Sequence, residues 1–120
     1  MKKLFILGMT IFLCVITNTS FAVEGICNDI YCDKVAINEI YIDVRNDIYI
    51  ATSGDEGKLD CLDDTKTNRK HVVLKTTGDN STNYKDILSA LLAAQARGSK
   101  VSIRTQIDSK YCEILYVQTY

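Results

Sequence analysis

The sequence predicts a mainly β domain with one helix, its five strands curled into a barrel and stapled by disulfides. Three observations carry that prediction. Short runs of β-branched and aromatic residues alternate with polar ones and are separated by turn residues. One segment rich in alanine and leucine replaces this two-residue period with a helical one. Four of the five cysteines, Cys27, Cys32, Cys61 and Cys112, lie beyond the apolar N-terminal run, in a stretch too small to bury a generous core.

Residues 1–22 read as a secretion signal. Met1-Lys2-Lys3 is a short basic start, Leu4 to Val15 is apolar, and Ser20-Phe21-Ala22 supplies the small residues that signal peptidase requires. The apolar run is too short to span a bilayer, and no later run replaces it. Cys14 follows Leu13 inside that run, with no small residue before it, so a lipid-anchored cysteine is not expected. About 98 residues remain, 23–120, which is the size of one domain. Every Phe and Met falls in the signal, so the core of this domain must come from Ile, Leu, Val, Ala and Tyr.

Residues 23–33 form an arm carrying Cys27 and Cys32. Residues 34–44 alternate as a strand, with one phase slip at Asn38-Glu39 that predicts a bulge. Arg45-Asn46-Asp47 turns the chain into a second strand at 48–52. After the turn at 53–57, residues 58–62 read as a short strand, 63–69 as polar loop and 70–76 as strand again. Asn83 with Asp86 resembles a capping box, and Ile87, Leu88, Leu91 and Leu92 repeat at helical spacing up to Gly98, giving a helix at 83–97. Gln95 falls within the apolar stripe, where it either reaches solvent or bonds backbone. Residues 100–105 and 111–120 close the chain as two strands. The order β-β-β-α-β-β is that of an OB-like barrel, a closure that removes exposed edges. A split sandwich with open edges is the competing architecture.

The cysteines allow three pairings. Cys27–Cys32 with Cys61–Cys112 is favoured, because it closes one local loop and one long one. Cys27–Cys112 with Cys32–Cys61 is the runner-up. Zinc is disfavoured, since no C-x2-C pair exists and the single His71 lies in a strand pattern.

Without the signal, 12 basic residues face 15 acidic ones, a net charge of about −3 that argues against nucleic acid as a partner. No catalytic motif is present: the sequence has no G-x-S-x-G, no H-E-x-x-H and no phosphate loop, and His71 is expected on a strand surface. The acidic residues Asp55, Glu56, Asp60, Asp63 and Asp64 lack the spacing of a calcium loop and read as solvated turns. Asn80-Ser81-Thr82 fits a glycosylation acceptor, but reads better as a helix-entry turn. No cofactor or metal is implied. Tyr31, Tyr41, Tyr49, Tyr111, Tyr116 and Tyr120 can offer stacking faces to a sugar or peptide. Tyr49 lies between Ile48 and Ile50, and Tyr41 between Ile40 and Ile42. Both are therefore expected to point outward, as ligand-contact candidates.

The exported β-β-β-α-β-β pattern, with Tyr84-Lys85-Asp86-Ile87-Leu88 leading through Gly98 to Val101-Ser102-Ile103 and a cysteine soon after, resembles the B subunits of pertussis- and subtilase-type bacterial toxins. That resemblance implies an OB barrel, a ring of five subunits with helices lining the pore, glycan binding, and an exported enzymatic partner. It carries no binding residue onto this chain. In such a ring Ala90, Ala93 and Ala96 would face the pore or the neighbouring subunit, while Ile87, Leu88, Leu91 and Leu92 would face the barrel. The expectation is an exported, non-enzymatic binding module that recognises a glycan or a protein surface, with homo-oligomer formation open. The alternative is a monomeric periplasmic or secreted structural, stress-associated or inhibitor protein.

Overall fold

A computed structural model describes residues 25–62 and 71–120. The expected signal segment and the loop expected at 63–69 lie outside the described residues. Within them the strands are β1 (Ile26–Cys27), β2 (Tyr31–Val35), β3 (Ile37–Ile42), β4 (Ile48–Thr52), β5 (Val72–Leu74), β6 (Val101–Thr105) and β7 (Ile114–Thr119). Helix α1 (Tyr84–Arg97) lies between β5 and β6.

The strands form two antiparallel sheets, ordered β1-β2-β6-β7 and β3-β4-β5. They meet at two places. The chain steps from one sheet to the other at Ala36, whose backbone is held by Ser53: Ala36 N–H donates to Ser53 Oγ at 2.9 Å, and Ser53 N–H to the Ala36 carbonyl at 3.0 Å. The second junction is one parallel bridge between Val73 and Glu113, where Val73 N–H donates to the Cys112 carbonyl at 3.1 Å.

This corrects the expected closed barrel of five strands. The long first strand is divided at Ala36 between β2 and β3, and the β5–β7 seam is a single bridge, so no continuous ladder encircles the core. The expected arm is itself a hairpin, β1 against β2, with Cys27 opposite Cys32. The strand expected at 58–62 is also absent. A short 3-10 turn at Glu56–Lys58 takes its place. The buried Glu56 accepts Thr52 N–H at 2.5 Å and the Thr52 hydroxyl at 2.6 Å through Oε1, which fixes the turn against the end of β4. Leu59 and Cys61 still point inward and are buried, so the alternation that suggested a strand recorded burial rather than sheet pairing.

The bulge is where the phase slip placed it: pairing of β3 with β4 shifts between Ile37 and Glu39. In β4, Ile48, Ile50 and Thr52 turn inward and Tyr49 outward. Helix α1 packs on β7 and β3, burying Leu91 and Ala94 with Tyr84, Ile87 and Leu88 partly buried beside them. Leu92, expected in the core, is 46% exposed, because it stands one residue off this stripe. Gln95 is exposed. Gly98 ends the helix at φ 66°, a left-handed conformation a glycine adopts without steric cost, and Ser99 N–H caps the Ala94 carbonyl. At the other end Asn83 makes no side-chain cap bond, so the expected capping box does not form. Two disulfides, Cys27–Cys32 and Cys61–Cys112, join the favoured pairs. No helix among the described residues is long and apolar enough to cross a membrane.

Candidate ligand-binding surface

The outer face of the four-stranded sheet carries a groove built by strand alternation. Val101, Ile103 and Thr105 of β6 are buried inward, which turns Ser102 and Arg104 outward. Register then sets their neighbours. Tyr31 of β2 pairs with Arg104, and Arg104 pairs with Tyr116 of β7, so the guanidinium arises between two tyrosines. In the next row Ser102 pairs with Gln118, and the Ser102 hydroxyl donates to Asp33 Oδ1. Tyr120 closes the end, its hydroxyl 3.0 Å from Ser102 Oγ and 3.4 Å from Asp33 Oδ1. These residues line a cavity of about 210 Å³.

Three features make this face chemically capable. Tyr31, Tyr116 and Tyr120 are 37%, 56% and 55% exposed, leaving ring surface for stacking. Asp33 spends one carboxylate oxygen on Ser102 and Tyr120 and has no partner on the other among the described residues. Arg104 has no side-chain hydrogen bond or ion pair among the described residues, so its five donors remain for a ligand. The Lys34 ammonium lies 5.8 Å from the Tyr120 ring centre at the rim. Sequence alternation at Tyr116, Gln118 and Tyr120 was the legible signal for this face. Alternation over 100–105 turned Ser102 and Arg104 to that face too, whereas nothing local announced that β2 would bring Tyr31 and Asp33 beside them.

Tyr41 and Tyr49, the residues singled out from sequence, lie on the other sheet. They are direct register partners, stacked at 4.8 Å with planes 7° apart, and His71 meets Tyr41 edge-on at 5.2 Å. Each ring covers a face of the other, a cross-strand pair worth about 0.5–1.5 kcal/mol beyond its burial. Burial pushes the Tyr49 hydroxyl up in pKa, and the neighbouring Asp43 charge adds to that. His71 Nε2 is 3.4 Å from Glu39 Oε2. Tyr111 is separate from both surfaces, with Lys75 and Lys110 near its ring.

Asp63 and Asp64 lie outside the described residues. Asn80 Nδ2 donates to the Ile114 carbonyl at 2.7 Å, tying the helix-entry turn to β7. No cluster of three or more metal-ligating side chains occurs among the described residues. The two buried disulfides fit an oxidising compartment. Comparison with known protein families, curated proteins and solved structures finds no significant match to this chain.

Proposed function

We propose that this chain is an exported, non-enzymatic binding module that recognises a carbohydrate or a protein surface through the Tyr31–Arg104–Tyr116 face. The observation that carries the reading is the coexistence, in one groove, of three exposed tyrosines, an unspent guanidinium and a half-spent carboxylate. Because the groove is lined by outward side chains of β2, β6 and β7, a ligand lying in it is met by side chains rather than by backbone. Hydroxyl-rich ligands suit that set: rings stack on tyrosine while Asp33, Arg104 and Gln118 accept and donate.

The neighbour order supports an OB-like reading of the fold. Taking β2 and β3 as one bent strand, the sequence of neighbours is β3-β4-β5, then β7-β6-β2 across the Val73–Glu113 bridge. With that order, the toxin B-subunit resemblance, a homo-oligomeric ring and an exported enzymatic partner belong to the same proposal. Ala93 and Ala96 are exposed on α1, as a packing surface between subunits requires. The alternative is a monomeric exported inhibitor or structural protein, and light scattering separates the two.

The test is a glycan array followed by titration calorimetry on the oxidised protein. Tyr116→Ala is expected to cost about 1–3 kcal/mol of binding, roughly five- to 150-fold, with Tm unchanged. Equal binding by wild type and Tyr116→Ala overturns this face as the site.

A further inference from the structure

The groove holds two opposite charges that do not pair with each other. Asp33 stands two residues beyond Tyr31, the register partner of Arg104, where the β2–β6 register shifts, and its carboxylate reaches Ser102, two residues before Arg104. No ion pair joins them. Each end has its own supporting groups. Arg104 stands between Tyr31 and Tyr116 in one row, with the Gln118 amide opposite Ser102 in the next. The Asp33 end is flanked by Tyr31 along its own strand and by Tyr120, whose hydroxyl touches the carboxylate.

This arrangement discriminates among ligands by charge. A simple anion attracted to Arg104 meets Asp33 in the same groove, and a simple cation at Asp33 meets Arg104. A ligand bearing an ammonium and an anion a few ångströms apart satisfies both. The rings at the Asp33 end further favour an alkylated ammonium, which is weakly hydrated and lies well on tyrosine faces. The Lys34 ammonium lies 5.8 Å from the Tyr120 ring centre, so the ligand's cation displaces a flexible, strongly hydrated one from that ring. A phosphoryl anion suits the other end, because a guanidinium can bind it bidentately.

We propose, building on the groove as the binding site, that it recognises a phosphocholine group, with the trimethylammonium against Asp33, Tyr31 and Tyr120 and the phosphate on Arg104. The group occurs both on lipid headgroups and as a substituent of other molecules, and the groove reads only the chemistry they share.

The test is a titration of the oxidised protein with free phosphocholine, choline chloride and inorganic phosphate, followed by NMR shifts of the tyrosine rings and by calorimetry. Phosphocholine is expected to bind at least tenfold more tightly than either half, moving signals of Tyr31, Tyr116 and Tyr120. Arg104→Gln should bring phosphocholine down to the choline level. Asp33→Asn keeps an acceptor for Ser102 and Tyr120, so the fold holds, and should bring it down to the phosphate level. Phosphatidylcholine vesicles, set against phosphatidylglycerol vesicles, identify the source. Binding to phosphatidylcholine alongside free phosphocholine supports a headgroup ligand, and binding to free phosphocholine alone supports a soluble or glycan-linked one. Phosphocholine binding no tighter than phosphate or choline overturns the inference. If a saccharide shifts the same tyrosines while phosphocholine does not, the groove stands and only the ligand assignment falls. If nothing shifts them, both fall.

Discussion

At the scale of single residues, Asp43 shows how much one side chain can organise. Its Oδ1 accepts Arg45 N–H at 2.9 Å and Asp47 N–H at 3.0 Å, and Oδ2 lies 3.2 Å from Arg45 Nε. The backbone closes the same turn, with Asn46 at φ 63°. Desolvation pushes the Asp43 carboxyl up in pKa, but the Asp47 and Arg45 amides and the Arg45 guanidinium outweigh it and hold it below the ordinary value. A carboxyl lowered on folding contributes stability that is complete above the unfolded pKa, about 3.9, and is lost as pH falls through the folded value. Asp43→Asn is therefore expected to lower Tm at pH 7, with the gap from wild type closing below about pH 4. A gap independent of pH across urea melts from pH 2 to 7 would refute the charge argument. The turn itself was legible as Arg45-Asn46-Asp47, yet the role of Asp43 was not, because the preceding strand pattern absorbed it. Tyr41 and Tyr49 tell a related story. Alternation correctly turned Tyr49 away from Ile48 and Ile50, but only strand register could reveal that the two rings lie against each other.

Elements were legible wherever a period ran long. The helix, with fourteen residues, a left-handed glycine at its end and a stripe of Ile87, Leu88 and Leu91, was readable within a residue at each end. Its width was not. Leu91 is fully buried while Leu92 is 46% exposed, because α1 packs chiefly on β7 and β3 and Leu92 stands off that line of contact. Leu91→Ala should therefore cost about 2–5 kcal/mol and Leu92→Ala within about 0.5 kcal/mol in urea denaturation. Equal losses would mean that α1 sits rotated from the position described. Short elements failed for an opposite reason. Residues 58–62 alternate inward and outward without a partner strand, so a pattern shared by strands and extended turns was read as a strand. Residues 23–33 were read as an arm and the β1–β2 hairpin was missed, because a two-residue β1 carries no period at all. The binding face depends on that hairpin, since it supplies Tyr31 and Asp33, which is why the candidate site was only partly visible in the sequence.

On the scale of the whole molecule, local pairing decides less than how the two sheets are joined. Neighbouring strands announce themselves by alternation, whereas closure depends on whether Val73 and Glu113 continue their bridge into a ladder, which no local pattern encodes. The seam relies instead on covalent help. Cys61–Cys112 spans 51 residues and anchors the chain after the 3-10 turn to the residue whose carbonyl receives Val73 N–H. Cys27–Cys32 spans five and merely fastens β1 to β2. Chain-entropy arithmetic assigns roughly 4 kcal/mol to the long loop and roughly 2 kcal/mol to the short one. The seam adds a structural cost to the first, because without the bond the β5–β7 junction has one backbone bridge to hold it. Replacing Cys61 and Cys112 with serine should therefore lower stability by at least 4 kcal/mol, roughly, and weaken exchange protection at Val73 N–H. Replacing Cys27 and Cys32 should lower it by about half as much and leave Val73 protected, while loosening the Tyr31–Asp33 wall of the groove. Urea melts with amide exchange on both double variants decide the matter. If the short-loop variant loses more stability, or if Val73 exchanges equally fast in both, then the long disulfide is not what keeps the two sheets together.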